Sequence, residues 1–516
     1  MNKSKQLIIN LMASVIVVIV QLFINFWLSP YVIGKLGEAA YGFITLANNF
    51  TQYASLLTVA INSMAARFIS IEYNRGNENE AQKYFSSVFW FNTILSVAIL
   101  IISLVICNNI EKIVNVDPTL LKDVKITFFI SFLNLIVSFM STVYLTSTFV
   151  VNRMDLHAYI QIGSNLVKLI VTIFLFALFF PHVYFVSIAA LLSSSFIFVA
   201  YLKLKKKLLP SFVVSKTLFS IRKILKIAKS GLWILLSNVS NLLLNGLDLL
   251  IANLMVSQAS MGRLSISQQI PNAVGTMLGY MSNIFSASFT EYVAHNDKTG
   301  LVQEIGFTCK ILGIFMTVPF AGIIIYGMDF FKLWLPAKVY SYADLFQIYI
   351  LMLLTLTNVI VNAYMYSVHS LFIALAKVKM YSIMIFISGC VSTMLTLLIT
   401  KYTSLGIYAI AGTSTIVLSL VNLFLVPLYA EYALKVPPFT LLKTILKNYV
   451  ALCIVMVIYV VIKPYVKTNT WFNFIGNMMI IAIPAYILVF VFLLNRNEKE
   501  KFIKKFLAKR KKDNKQ

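Results

Sequence analysis

Apolar stretches long enough to cross a bilayer recur along the whole chain, separated by short polar segments. Fourteen can be placed, at roughly 7–33, 40–71, 84–107, 126–149, 158–180, 184–202, 231–256, 264–291, 305–328, 343–368, 380–400, 405–430, 448–466 and 472–494. A helical span needs about 20 predominantly apolar residues. Barrel strands would instead show alternating polarity over segments of about ten residues. The pattern therefore predicts an all-α, polytopic membrane protein. The first stretch follows MNKSKQLIIN, is longer than a signal-peptide core and has no small-residue cleavage site after it. It is expected to remain as the first helix.

The two halves resemble each other at an offset of about 220 residues. GEAAYG (37–42) falls on SQASMG (257–262), which aligns Gly42 with Gly262. IEKIVNV (110–116) falls on FFKLWLP (330–336), aligning Lys112 with Lys332, and IEYNRGNE (71–78) falls on TEYVAHND (290–297) after a one-residue shift. Spans 1–6 thus map onto spans 7–12. Six is even, so both halves enter the membrane in the same sense, as a parallel repeat about an axis along the membrane normal. The expected organisation is two parallel six-helix lobes, residues 1–202 and 231–430, joined by a basic cytoplasmic linker, 203–230. Spans 13 and 14 follow within 431–495, and a basic cytoplasmic tail occupies 496–516. A repeat of this kind points to a transporter with a central cavity between its lobes.

Several of these greasy helices carry polar residues in register. In NVSNLLLNGLDLL (238–250), Asn238, Asn241, Asn245 and Asp248 are spaced to share one face of a continuous helix. The repeat sets Gln21 and Asn25 of span 1 opposite Asn241 and Asn245. Span 2 carries Asn48, Asn49, Gln52 and Ser63, opposite Gln268, Gln269, Asn272 and Asn283 of span 8. Span 5 carries Gln161, Asn165, Lys168 and Thr172, and span 10 carries Asn358, Asn362, Tyr366 and His369. Single amides of this kind bond helix to helix for modest energy, about 0.6 kcal/mol each. Stripes repeated over several helices suit a polar, water-filled cavity as well.

Composition agrees and charge adds orientation. The chain is 59% hydrophobic and 12% charged, with a formal net charge of +25 and a mean hydropathy of +0.85. With a cytoplasmic N-terminus, 30 of the 43 Lys and Arg fall in inner segments, chiefly the 203–229 linker and the tail. That excess gives cytoplasmic termini by the positive-inside rule and contact with anionic lipid, and needs no nucleic acid. In the tail, Phe502, Ile503, Phe506 and Leu507 share one helical face, consistent with a segment lying on the membrane surface or simply solvated. Cys107, Cys309, Cys390 and Cys453 are far apart, and His157, His182, His295 and His369 do not pair at ligand spacing. No metal site, cofactor or catalytic residue is indicated. The sequence holds no GxxxxGK[ST] phosphate loop, no HExxH and no GxSxG. A transporter without its own ATPase is expected, not an enzyme.

Charges inside the spans are sharper signals, because a mid-membrane charge costs at least about 2.5–3.5 kcal/mol on insertion scales. Asp248 and Lys168 lie deepest, and Arg67 and Lys310 are nearer the cytoplasmic ends, where they can snorkel. Asp248 serves either as a structural ion pair with a neighbouring helix or as an ion- or proton-coupling or gating acid. Its repeat partner is Leu28, so the two halves differ there. Lys168, Arg67 and Lys310 are candidates for attracting an anionic headgroup.

PYVIGKLGEAAYG (30–42), ARFISIEYNRGN (66–77) and NRMDLHA (152–158) resemble the polysaccharide-biosynthesis flippases of the multidrug/oligosaccharidyl-lipid/polysaccharide exporter superfamily. The resemblance extends over essentially the whole chain. It implies a V-shaped cavity open alternately to each side of a bacterial cytoplasmic membrane. It implies a substrate of oligosaccharide on undecaprenyl pyrophosphate, exported for O-antigen, capsule or exopolysaccharide assembly, with a polymerase or glycosyltransferases as partners. Lys168, Arg67 and Arg153 would then hold the pyrophosphate, and Pro30, Gly37 and Gly42 would form a hinge or tight turn. The substrate cavity is expected to comprise Lys168, Arg67, Lys310, Arg153, Asn241, Asn245, Gln21, Asn25, Gln52 and Asn272, with Asp248 as coupling or gate residue. Amides supply both donors and acceptors to sugar hydroxyls, and cations suit a pyrophosphate. A lipid II flippase and a cation-coupled multidrug antiporter of the same superfamily are the competing readings. A membrane polymerase would be expected to carry a large outer loop and an acyltransferase a partnered catalytic His.

Overall fold

The computed structural model describes residues 3–500 except 296, 338 and 376; side chains are described from residue 9 on, except those of 11, 14, 280–288, 290, 291, 294 and 373. The proposed apolar face of the tail (Phe502, Ile503, Phe506, Leu507) and the side chain of Asn283 lie outside the described residues. Among the described residues every regular element is helical. The chain runs α1 (Lys3–Leu36), α2 (Glu38–Asn74), α3 (Glu78–Asn108), α4 (Ile110–Ile113), α5 (Leu121–Val150), α6 (Met154–Leu178) and α7 (Phe185–Leu208). It continues with α8 (Ile221–Asn241), α9 (Asp248–Met255), α10 (Gln258–Ser267), α11 (Gln269–Ala294) and α12 (Lys298–Trp334). The rest is α13 (Tyr342–Ala374), α14 (Val378–Tyr402), α15 (Ile407–Leu420), α16 (Val426–Leu434), α17 (Thr440–Ile462) and α18 (Trp471–Leu493).

Among the described residues thirteen helical segments are long and apolar enough to cross a membrane, so the all-α polytopic class is borne out. The span expected at 264–291 corresponds to α11, preceded by the separate, shorter α10. The connection from α1 to α2 is a single residue, Gly37, whose φ of +86° favours glycine. Pro30 lies inside α1. Asp297 caps α12, its carboxylate accepting from the Gly300 amide at 2.9 Å, and that bond holds the carboxyl below its usual range.

The helices pack into two compact units: residues 1–269 with 385–410, and residues 270–384 with 411–516. In the first unit, α2 packs against α3 and α5, and also against α8 and α10; α7 packs against α5 and α6, and α6 packs against α1. One apolar cluster joins Ile61, Ala65 and Ile69 of α2 to Tyr84 and Phe85 of α3, Tyr144 of α5, Tyr201 of α7, and Phe212, Ile224 and Ile227 beyond it. The basic 203–230 segment is therefore folded onto this unit. Its apolar residues Phe212, Ile224 and Ile227 are buried, while Lys223 pairs with Glu80 at 2.5 Å and Ser86 donates to the Val213 carbonyl at 3.1 Å.

Crossings of α2 are made by glycine. A Cβ on Gly231 of α8 would sit 1.9 Å from the Ala60 carbonyl oxygen. A Cβ on Gly262 of α10 would sit 2.3 Å from the Glu38 carbonyl oxygen, and one on Gly42 would sit 3.0 Å from the Gly262 Cα. Gly42 and Gly262, which the sequence comparison sets opposite each other, approach within van der Waals contact. Around them Arg263 pairs with Glu38 at 3.2 Å, and Gln269 donates to the Tyr41 hydroxyl at 2.9 Å, which donates to Ser29 at 3.0 Å.

In the second unit α12 packs against α13, α17 and α18. Its Cys309 meets Ser367 at 2.8 Å, and its Cys309 carbonyl accepts from Asn448 at 3.0 Å. Glu431, 1% exposed, closes the α16–α17 turn by accepting from the Phe439 and Leu441 amides, both at 2.8 Å. Phe439 is held there at a φ of +67°, a conformation that side chains resist. Replacing Glu431 with Ala orphans both amides and is expected to cost about 2–3 kcal/mol, visible as a lowered melting temperature of the purified protein; an unchanged melt would show that water replaces the carboxylate without loss.

Candidate functional site

The stretch 238–250 does not form one continuous α-helix. α8 ends at Asn241, residues Leu242–Gly246 form a π turn, and α9 begins at Asp248. A π turn closes hydrogen bonds one residue further along than an α turn and so rotates everything after it. The single polar face expected from α spacing is therefore broken. Asn241 and Asn245 are exposed, Asn238 folds back onto the Ile234 carbonyl at 2.8 Å, and Asp248 is turned inward and buried. The widened turn offers its carbonyls to side chains. Gly246 accepts from Tyr53 at 2.5 Å and Asn49 at 3.3 Å, both on α2, and Leu243 accepts from Thr393 of α14 at 2.7 Å.

Asp248 is 5% exposed, and its nearest polar partner is Gln268, at 3.5 Å. None of the ion pairs among the described residues involves it, so the structural salt bridge weighed for this acid is absent among them. Tyr53, which the sequence pattern passed over, lies one turn after Asn49 on the same polar stripe of α2. That position was its only visible signal, because tyrosine also reads as an ordinary membrane residue.

α1 and α6 run side by side in the same direction and are pinned at both ends. At one end Asn10 donates to Asn152 at 3.2 Å and accepts from the Asp155 amide at 3.0 Å. At the other, Tyr31 meets Phe176 edge-on, 6.0 Å between centroids. At 1.5 Å rise per residue, Lys168 lies about 20 Å beyond Asp155, and Gln21 and Asn25 lie at about the same height on α1. Gln21 is exposed; Asn25, Asn165 and Lys168 are half-buried. Lys168 has no ion pair among the described residues. The fold thus brings three of the expected residues, Lys168, Gln21 and Asn25, to one level, with Asn165 one turn away. Gln52 is exposed on α2, one turn from Asn48.

The other cations are placed differently. Arg153 caps the start of α6 and is committed to Asp155, with bonds of 2.9 and 3.0 Å, about 20 Å along the helix from Lys168. Arg67 is exposed near the end of α2. In the second unit, Asn272 is exposed on α11 and Lys310 is buried on α12, paired with Glu498 at 2.6 Å. That partner was not foreseen, since Glu498 lies beyond the last span in a basic segment. The polar stripe of span 10 is joined to α15–α16: Asn362 donates to Asn358 at 2.7 Å and accepts from Asn422, in a second π turn, at 2.8 Å.

Comparisons with known proteins agree with this fold. Residues 9–174 match the MatE family model. The uncharacterized membrane protein EpsK of Bacillus subtilis (strain 168) is 25% identical over 498 residues, 96% of this chain and 97% of that one. Among solved structures, the lipid II flippase MurJ in an inward closed conformation is similar with a TM-score of 0.69 at 15% identity, over 93% of this chain and 98% of that one. A multidrug resistance MATE family transporter of the MOP superfamily, inward-facing, gives 0.62 at 12% identity over 81% and 95%. A MOP superfamily transporter from Pyrococcus furiosus gives 0.59 at 15% over 84% and 96%. The chain is a multi-pass membrane protein with the fold of these transporters.

Proposed function

We propose that this protein is a flippase. It carries an undecaprenyl-pyrophosphate-linked oligosaccharide from the cytoplasmic to the outer face of a bacterial cell membrane by alternating access, for assembly of a surface polysaccharide. The two six-helix lobes at 1–202 and 231–430 and the cytoplasmic termini are part of this reading. The observation that carries it is Lys168, an intramembrane cation without a carboxylate partner among the described residues, level with the amides of Gln21 and Asn25. An unneutralised cation among amides suits an anionic headgroup bearing sugars: the ammonium meets phosphate oxygens, and the amides exchange hydrogen bonds with hydroxyls. The polyprenyl chain stays in lipid.

Two other readings have specific support. Structural similarity to MurJ over nearly the full length favours lipid II as cargo. Asp248, buried without an ion pair among the described residues, suits a cation-coupled antiporter, and in the flippase reading it serves as the coupling or gating acid. Deleting the gene separates all three. The flippase reading expects lipid-linked oligosaccharide to accumulate on the inner side of the membrane, measured by lipid extraction and surface-polysaccharide loss. Accumulated lipid II would favour the second reading, and drug sensitivity with both lipids normal would favour the third.

Asp248→Asn is expected to slow transport several-fold and to flatten its dependence on pH or sodium. Transport rates measured in vesicles across both variables check this, and rates equal to the parent throughout would leave Asp248 a packing role only.

A further inference from the structure

Lys310 was expected among the cavity cations, but its charge is already engaged. Its ammonium lies 2.6 and 2.9 Å from the two oxygens of Glu498. The lysine side chain is 10% exposed and the glutamate 23%. On α12 the neighbouring turn is sealed by Cys309 against Ser367 and by Asn448 on the Cys309 carbonyl. A buried ammonium needs an anion there, since removing one member of a buried pair is strongly unfavourable. The anion supplied is not from a neighbouring span. It comes from the short helical segment that follows α18, where Glu498 also accepts from the Asn495 amide at 2.8 Å and so closes that segment's first turn. Arg496 and Lys499 flank it, and juxtamembrane cations are attracted to an anionic membrane surface. The carboxylate is therefore held by Lys310 and by an amide of its own segment, and its two oxygens take the places that two phosphate oxygens would take on the ammonium.

We propose that Lys310 is a second anion-binding site, specific for phosphate or pyrophosphate, that is filled in cis by Glu498 until such an anion displaces it and frees residues 494–500. The flippase reading enters only in naming the natural anion, a lipid pyrophosphate; the site itself stands on the Lys310–Glu498 geometry.

The test uses the full chain in phosphatidylcholine nanodiscs, with inorganic pyrophosphate and geranylgeranyl pyrophosphate as separate probes. Glu498→Gln is expected to tighten binding of the recognised probe at least tenfold, and Lys310→Gln added to it is expected to abolish that gain. A gain for both probes identifies the anion alone as the ligand, and a gain for geranylgeranyl pyrophosphate alone identifies a lipid-borne one. Equal affinity in parent and Glu498→Gln for both probes, or a gain that survives Lys310→Gln, overturns the proposal. The parent protein gives an independent readout should a variant fold poorly: the recognised probe is expected to speed amide exchange at 495–500 at least threefold, and unchanged protection at saturating amounts of both probes overturns it. Neither measurement involves translocation. A failure of the flippase reading would instead appear as normal lipid-linked oligosaccharide in the deletion strain.

Discussion

Under the proposed flippase function, replacing Lys168 with Met is expected to lower export of the lipid-linked sugar at least about tenfold while the protein accumulates in the membrane at normal or raised levels. The two effects have opposite signs for one reason. An ammonium inside the bilayer costs at least about 2.5–3.5 kcal/mol on insertion scales, and nothing among the described residues neutralises Lys168. Removing it relieves that cost, whereas a structural ion pair would have been broken. A charge-assisted hydrogen bond to an anion is worth about 1.5–3 kcal/mol, which corresponds to roughly ten- to 150-fold in binding. Lys168→Arg keeps the charge and is expected to retain part of the activity. Export is read from surface polysaccharide and stability from the melting temperature of the purified protein. Parental export by Lys168→Met would remove the residue from the headgroup site, and a loss of stability would assign it a structural partner.

Gly262→Val is expected to destabilise the protein by about 1–3 kcal/mol, the usual cost of overpacking, and to stop transport. The added Cβ meets a backbone carbonyl 2.3 Å away, and a backbone atom cannot swing aside as a side chain can. α10 would have to leave α2, taking with it the Glu38–Arg263 pair and the Gln269–Tyr41 bond. Gly42→Ala should be milder, because its Cβ meets the flexible end of Met261 at 2.9 Å and backbone only at 3.0 Å, against 2.3 Å for Gly262. Melting temperatures of both variants, set beside their transport rates, check the order. A Gly262→Val protein with parental stability would mean that the crossing is not tight in the membrane.

The polar stripes were legible only in part, and the reason is local geometry. Spacing alone identified Asn241, Asn245 and Asp248 as a set, but the inference that they share a face assumed 3.6 residues per turn throughout. The π turn at 242–246 broke that assumption, and the pattern of residue types carries no mark of it. The cations show a different limit. Lys168, Lys310 and Arg153 look alike as single letters in a sequence. Whether each is available depends on a carboxylate: Asp155, two residues from Arg153, could have been suspected, whereas Glu498, brought to Lys310 from beyond the last span, could not.

The sequence by itself determined what solvent exclusion dictates: an all-helical membrane chain and the approximate places of its spans. These follow from hydrophobic length and residue spacing, which are properties of the chain read along one dimension. Tertiary structure decided which polar groups are spent on one another and which have no ion pair among the described residues. It set the two aligned glycines against each other, turned Asp248 inward beside Gln268, levelled Lys168 with Gln21 and Asn25, and closed Glu498 onto Lys310. Each of these depends on distances between groups far apart in sequence, and hydrogen bonds and ion pairs are decided within a few ångströms.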